Sequence, residues 1–145
     1  MIAQAEESGS PHMSGVAKVV LALTLGNVTD VWGDVPWTEA LQGADNLTPT
    51  YDDQEFIYSE IQRLLDEAIA ELSAPESSES PSANNDRFYG GNLDNWIAAA
   101  YTAKAKYYNN LSEVNASQSA ADALNAIDNG FTSVDQDLAF TFVTT

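Results

Sequence analysis

From Ile57 to Leu72 the apolar residues recur every three or four positions: Ile57, Ile61, Leu64, Leu65, Ala68 and Leu72. At 3.6 residues per turn this places them on one face of a helix, with Glu60, Arg63, Glu67 and Glu71 on the other. Such a stripe is stable only when another apolar surface covers it. The candidates to cover it are also helical. Ser10-Pro11 reads as a helix N-cap followed by proline at the first helical position, opening a helix that runs to about Trp32. Its densest part, Val16 to Leu25, is apolar on nearly every face, as expected for a central helix buried on several sides. It is shorter than a membrane span and carries Lys18. The expected fold class is therefore all-α.

Gly33 and Pro36 stop this helix, and residues 33–51 form a long irregular connection. Connections of that length carry function or pack through their own aromatics. Asp52 or Asp53 is placed to cap the next helix. Residues 73–86, rich in Ser, Pro, Glu and Asn, read as a mobile surface loop ending in the turn Phe88-Tyr-Gly-Gly91. Asn92 or Asp94 caps a further helix to about Leu111, with Trp96, Ala100, Ala103, Tyr107 and Leu111 in one stripe. A final helix is expected from about Ala116 to Asn129, with Leu124 and Ile127 facing the core and Gly130 at the C-terminal cap. Its small face (Ala120, Ala121, Ala123, Ala126) would admit a close neighbour. Leu138 to Val143 has the composition of a short strand but no convincing partner strand. The last two helices make a hairpin of tetratricopeptide-like size. The organisation expected is one helical domain, 1–145, built from antiparallel helix pairs with long irregular loops.

Charge narrows function. Twenty-two Asp and Glu against five Lys and Arg give a net charge of −17. That surface repels phosphate backbones and anionic lipid, so no nucleic-acid partner is expected. It also suits a salt-loving source, because about 1 M salt shortens the Debye length to roughly 3 Å and screens the self-repulsion. No cysteine is present, which removes disulfides, thiolate metal sites and cysteine nucleophiles. The single histidine, His12, near a helix start, gives no basis for a triad and reads as a surface or first-turn residue. No glycine-rich phosphate loop occurs. Asp128, Asn129, Asp135 and Asp137 could offer oxygen to calcium, but their spacing is not that of an EF-hand loop. Four Asn-x-Ser/Thr triplets, at Asn27, Asn46, Asn110 and Asn115, read as chance. No catalytic residue, metal ligand or cofactor is assigned. The candidate ligand-binding residues are the aromatics of the loops, Trp37, Tyr51, Phe88 and Tyr89, whose faces can stack on sugar rings. The plainer reading is that they staple the loops to the helices.

Four segments carry a resemblance. Thr29-Asp-Val-Trp-Gly-Asp-Val-Pro-Trp-Thr-Glu-Ala-Leu41 follows a long helix. Tyr51-Asp-Asp-Gln-Glu-Phe-Ile-Tyr58 opens the next one. Phe88-Tyr-Gly-Gly-Asn-Leu-Asp-Asn-Trp96 enters a third, and Ala103-Lys-Ala-Lys-Tyr-Tyr-Asn-Asn-Leu-Ser112 ends it. In this order they resemble the SusD/RagB family. The resemblance implies an all-α protein on tetratricopeptide-like helix pairs that binds oligosaccharides or other nutrients without transforming them. It implies a surface-exposed lipoprotein of the outer membrane, partnered with a TonB-dependent transporter, with membrane contact only through a lipid anchor that this chain lacks. Family members are several times longer, so the chain resembles an internal excerpt. Asn92 and Lys106 stand where the family usually has Asp and Arg, which puts a capping bond and a bidentate pair in question. Two other readings are a tetratricopeptide-like scaffold for proteins or peptides and, from the surplus of carboxylates such as Asp34 and Glu39, a glycoside hydrolase.

Overall fold

The computed structural model describes residues 1–139. Its elements are α1 (Ile2–Glu7), α2 (Pro11–Trp32), a 3-10 turn at Gly43–Asp45, α3 (Gln54–Leu72), α4 (Leu93–Asn110), α5 (Ala116–Ile127) and a 3-10 turn at Val134–Gln136. Among the described residues there is no strand, only an isolated antiparallel bridge between Val35 and Asp52. The strand expected at 138–143 falls outside them except for Leu138 and Ala139, which are irregular.

The stripe on α3 does what its spacing requires. Ile57, Ile61, Leu64, Leu65, Ala68 and Leu72 are all buried, and each large side chain contributes about 1.5–3 kcal/mol by leaving water. The cover is α2, running antiparallel. Its start meets the end of α3, where Gly15 lies so close that a Cβ would sit 2.7 Å from Leu72 Cγ and 3.0 Å from the Ala68 carbonyl oxygen. Its end meets the start of α3, where Gln54 Nε2 donates to the Thr29 carbonyl at 2.8 Å. On the other side α4 runs alongside, with Tyr107 filling the space that Gly26 leaves open and donating its hydroxyl to the Leu23 carbonyl at 3.2 Å. Trp96, Ala100, Ala103 and Tyr107 are buried as their stripe predicts. α5 folds back antiparallel on α4, giving the second helix pair.

The core helix carries a buried cation. Lys18, 6% exposed, is reached by Glu6 of α1 at 3.1 Å and by Glu67 and Glu71 of α3 at 3.1 and 2.6 Å. Burial lowers the affinity of its amine for a proton, but the three carboxylates outweigh that and hold it charged far above its ordinary range. One lysine thus clamps three helices. A second junction gathers at Asp30, which accepts from Tyr58 Oη (2.7 Å), Asn110 Nδ2 (2.9 Å) and Lys106 Nζ (3.2 Å).

Several expectations are corrected. α2 is buried on one side only: Val20, Val31 and Trp32 are exposed, because α3 and α4 both pack on the face made of Gly15, Val19, Ala22 and Gly26. In α5, Leu124 and Ile127 do not face the core but are 67% and 40% exposed, while Ser119 and Ala126 are buried. α4 is approached through the small side of the helix. Ala120 and Ala121 nonetheless remain exposed. Gly130 is needed for close approach, since a Cβ there would meet Thr102 Oγ1 at 2.8 Å. The 73–86 loop is tied to the start of α2, where His12 stands in the first turn as expected but is buried rather than at the surface. Its ring nitrogens lie 2.7 Å from Ser80 Oγ and 2.8 Å from the Ala74 carbonyl. Asn92 does cap α4, accepting from Asn95 N at 3.1 Å.

Candidate functional site

The connection between α2 and α3 is closed by the polar residues of its own motif. Thr29 Oγ1 donates to the Gly33 carbonyl at 2.7 Å, and Gly33 turns the chain with φ +75°, a conformation that favours glycine. Asp34 accepts from the first N–H of α3, Gln54, at 2.9 Å. The cap of α3 therefore comes from twenty residues upstream; Asp53 occupies the N-cap position without a side-chain bond. Val35 and Asp52 exchange two backbone hydrogen bonds, at 3.2 and 3.0 Å. The Asp52 carboxylate, free of capping duty, accepts from Trp37 N and Thr38 N, each at 2.8 Å, and from the Thr38 hydroxyl. Glu39 accepts from Thr50 N at 2.8 Å and Asn46 Nδ2 at 3.0 Å. The Thr38 and Trp37 amides hold the Asp52 carboxyl below the usual carboxylate range, and the Thr50 amide and Asn46 do the same for Glu39.

Between this loop and the open side of α2 lies a groove of about 450 Å3. Leu21, Leu25 and Val28 of α2 form its floor, and Trp32, Trp37 and Tyr51 stand around it. Trp37 is partly buried, and its indole N–H donates to Glu60 of α3 at 3.0 Å. The stapling role holds for this residue, although one side of it still lines the groove. Trp32 and Tyr51 are 71% and 68% exposed. Leu41 at the rim has φ +61°, rare for a branched residue, and is fully exposed. Only Thr24 and Asp34 add polar side chains, so the groove offers aromatic faces and few hydrogen-bonding groups.

The other two aromatic candidates are elsewhere. Phe88 and Tyr89 flank Trp96 edge-on, with ring centroids 6.0 and 5.1 Å from it, and Tyr89 donates its hydroxyl to the Gln136 carbonyl at 2.7 Å. The turn is organised by Asp86, 8% exposed. Its Oδ1 accepts from Phe88 N (2.9 Å) and Tyr89 N (3.1 Å), and its Oδ2 from Gly91 N (2.9 Å) and the Trp96 indole (2.8 Å). Burial pushes this carboxyl up, but the four donors outweigh it and hold it below its ordinary value. Asp86 closes the Ser-, Pro-, Glu- and Asn-rich loop of 73–86, and an Asp two residues before an amide it can accept from is the signature of an Asx turn. Trp32, at the end of a helix expected to be buried, carries no comparable signal in the sequence. The structure thus joins Trp37 and Tyr51 with Trp32 and separates them from Phe88 and Tyr89. Among the described residues no group of three or more His, Cys, Asp or Glu is arranged to hold a metal ion.

The whole chain, residues 1–145, matches a SusD-like family described as starch-binding and associating with the outer membrane. The chain belongs to this SusD-like family. A SusD/RagB family protein of Bacteroides thetaiotaomicron superposes with a TM-score of 0.81 at 33% identity, over 91% of this chain and 27% of that one. A chitin-binding protein gives 0.79 at 32% identity, over 94% and 29%. A SusD homolog from Bacteroides uniformis gives 0.83 at 23% identity, over 97% and 29%, which bears on fold alone. No curated protein matches. This SusD-like chain spans under a third of those solved structures, and its all-α tetratricopeptide-like fold is theirs.

Proposed function

We propose that the chain is the helical region of a non-enzymatic glycan-binding component of an outer-membrane uptake system. Residues 1–145 form one helical excerpt of a larger, surface-exposed lipoprotein that works with a TonB-dependent transporter and is anchored by lipid attached outside this chain. Membership of a family described as starch-binding and associating with the outer membrane carries the reading. The chitin-binding protein at 32% identity supports a glycan as the ligand class.

Within this chain the ligand lies in the groove of Trp32, Trp37 and Tyr51. Aromatic faces meet the C–H faces of sugar rings, and the scarcity of polar groups suits binding without chemistry. The test uses the full-length protein on an oligosaccharide panel, together with co-purification from outer membranes. Binding of at least one oligosaccharide, weakened about tenfold by Trp32→Ala or Tyr51→Ala, and recovery of a membrane barrel are expected. Because both side chains are largely exposed, the variants keep the fold. Binding of peptides with no response to any sugar would replace this reading with the scaffold one.

A further inference from the structure

In a chain with 22 acidic and five basic residues, a basic side chain without a partner is unusual. Lys18 is enclosed by Glu6, Glu67 and Glu71. Arg63 bridges Glu60 and Glu67, Lys104 pairs with Asp66, and Lys106 pairs with Asp30. Arg87, which is exposed, has no ion pair among the described residues. It stands at a second groove of about 340 Å3, bounded by Met13, Val16 and Val20 of α2 and by Pro81, Phe88 and Trp96. The carboxylate beside it, Asp86, does not neutralise it by contact. Both Asp86 oxygens are taken by the donors of the turn. The guanidinium therefore keeps its fork of donors above an apolar trough.

We infer that this groove binds an acidic sugar, with its ring on the apolar walls and its carboxylate in a two-point hydrogen bond with Arg87. The planar guanidinium fork matches a carboxylate, a geometry that a lysine does not provide. A sugar ring, apolar on its C–H faces and polar at its edge, suits a trough lined by Val16, Val20 and Phe88 with Asn85 beside them. The net charge of −17 argues against a long polyanion and for a short acidic sugar held at one carboxylate. At about 0.15 M salt the Debye length is roughly 8 Å, so distant acids are screened while a contact pair at Arg87 is not. The ring half of this inference rests on the glycan-binding reading and the charged half on Arg87.

The test is calorimetric titration of the 145-residue chain at fixed 0.15 M salt with trigalacturonate and, as the neutral counterpart, galactotriose. Trigalacturonate should bind about tenfold more tightly, the size of one net charge-assisted hydrogen bond. Arg87→Gln should erase that preference while leaving the thermal midpoint and the neutral affinity unchanged. Arg87→Lys should keep only part of it, and Trp32→Ala, in the other groove, should leave the trigalacturonate affinity unchanged. Equal affinity for the two sugars, or a preference that survives Arg87→Gln, would overturn the inference and leave the wider glycan reading standing. Absence of binding to either sugar would also overturn the inference, while the wider glycan reading falls only if the full-length protein binds nothing on the oligosaccharide panel.

Discussion

Replacing Asp86 by Asn changes one atom of the turn before α4 and reverses half of its hydrogen bonding. In the native protein each carboxylate oxygen accepts two bonds, Oδ1 from Phe88 N and Tyr89 N and Oδ2 from Gly91 N and Trp96 Nε1. An amide presents one oxygen and one NH2. Whichever way it is turned, the NH2 faces two donors, so two bonds are lost and two N–H groups point at another donor. Hydrogen bonds to a charged group contribute about 1.5–3 kcal/mol each, and neighbouring losses are not additive. Water reaches the turn but not Trp96, which is 1% exposed. The expected net loss is about 3 kcal/mol, which lowers the melting temperature by about 6–12 °C for a chain of this size. Urea unfolding followed by circular dichroism at 222 nm measures it. The pH dependence supplies an independent check. The folded carboxyl titrates below its ordinary value of 3.8, so its contribution is complete above about pH 4 and is lost as pH falls through the folded pKa. The gap between native protein and Asp86→Asn should therefore be full at pH 7 and shrink towards pH 3. Equal urea midpoints at pH 7, or a gap of the same size at pH 3, would refute the reasoning.

Gly26→Ala should destabilise the protein by about 2 kcal/mol despite improving helix propensity by roughly 1 kcal/mol, because the new Cβ would sit 2.1 Å from the buried Tyr107 ring; an unchanged thermal midpoint would contradict the packing described. Acidification should loosen the 34–52 connection before the helices melt, since Asp52, Glu39 and Glu60 all titrate below their ordinary values in the fold and their contribution disappears as pH falls below about 4. Trp37 fluorescence in a Trp32→Phe, Trp96→Phe background would report it, and a change coincident with loss of helix would count against an independent loop. In alkali, Tyr58 and Tyr89 should ionise only near pH 12, where burial has pushed them up. The stability they contribute is complete below pH 10 and lost above, and absorbance at 295 nm rising fully by pH 10.5 without unfolding would disprove it. Raising salt to about 1 M should increase the melting temperature by screening the net charge of −17; equal melting in low and high salt would remove the halophilic interpretation.

The helices and much of their pairing are legible in the order of the residues. The period of Ile57 to Leu72, the cap at Ser10-Pro11, the stop at Gly33 and the stripe from Trp96 to Tyr107 are local signals, and each segment behaves as its spacing requires. The four motifs placed the chain in its family before any contact was known. Which face of α2 and of α5 is covered was settled only by packing. α2 is apolar nearly all round, so its pattern gives no direction; close approach at Gly15 and Gly26 selects the covered side and leaves Trp32 open. α5 presents Ala126 rather than Leu124 to its neighbour because small residues allow a nearer backbone. The roles of the acids were equally hidden. Asp34 caps a helix twenty residues away, Asp52 folds back on Trp37, and Asp86 organises a turn. A carboxylate's partner is fixed by distance in space, and among 22 acidic residues nothing in the order of the chain distinguishes those that hold the loops from those that only face water.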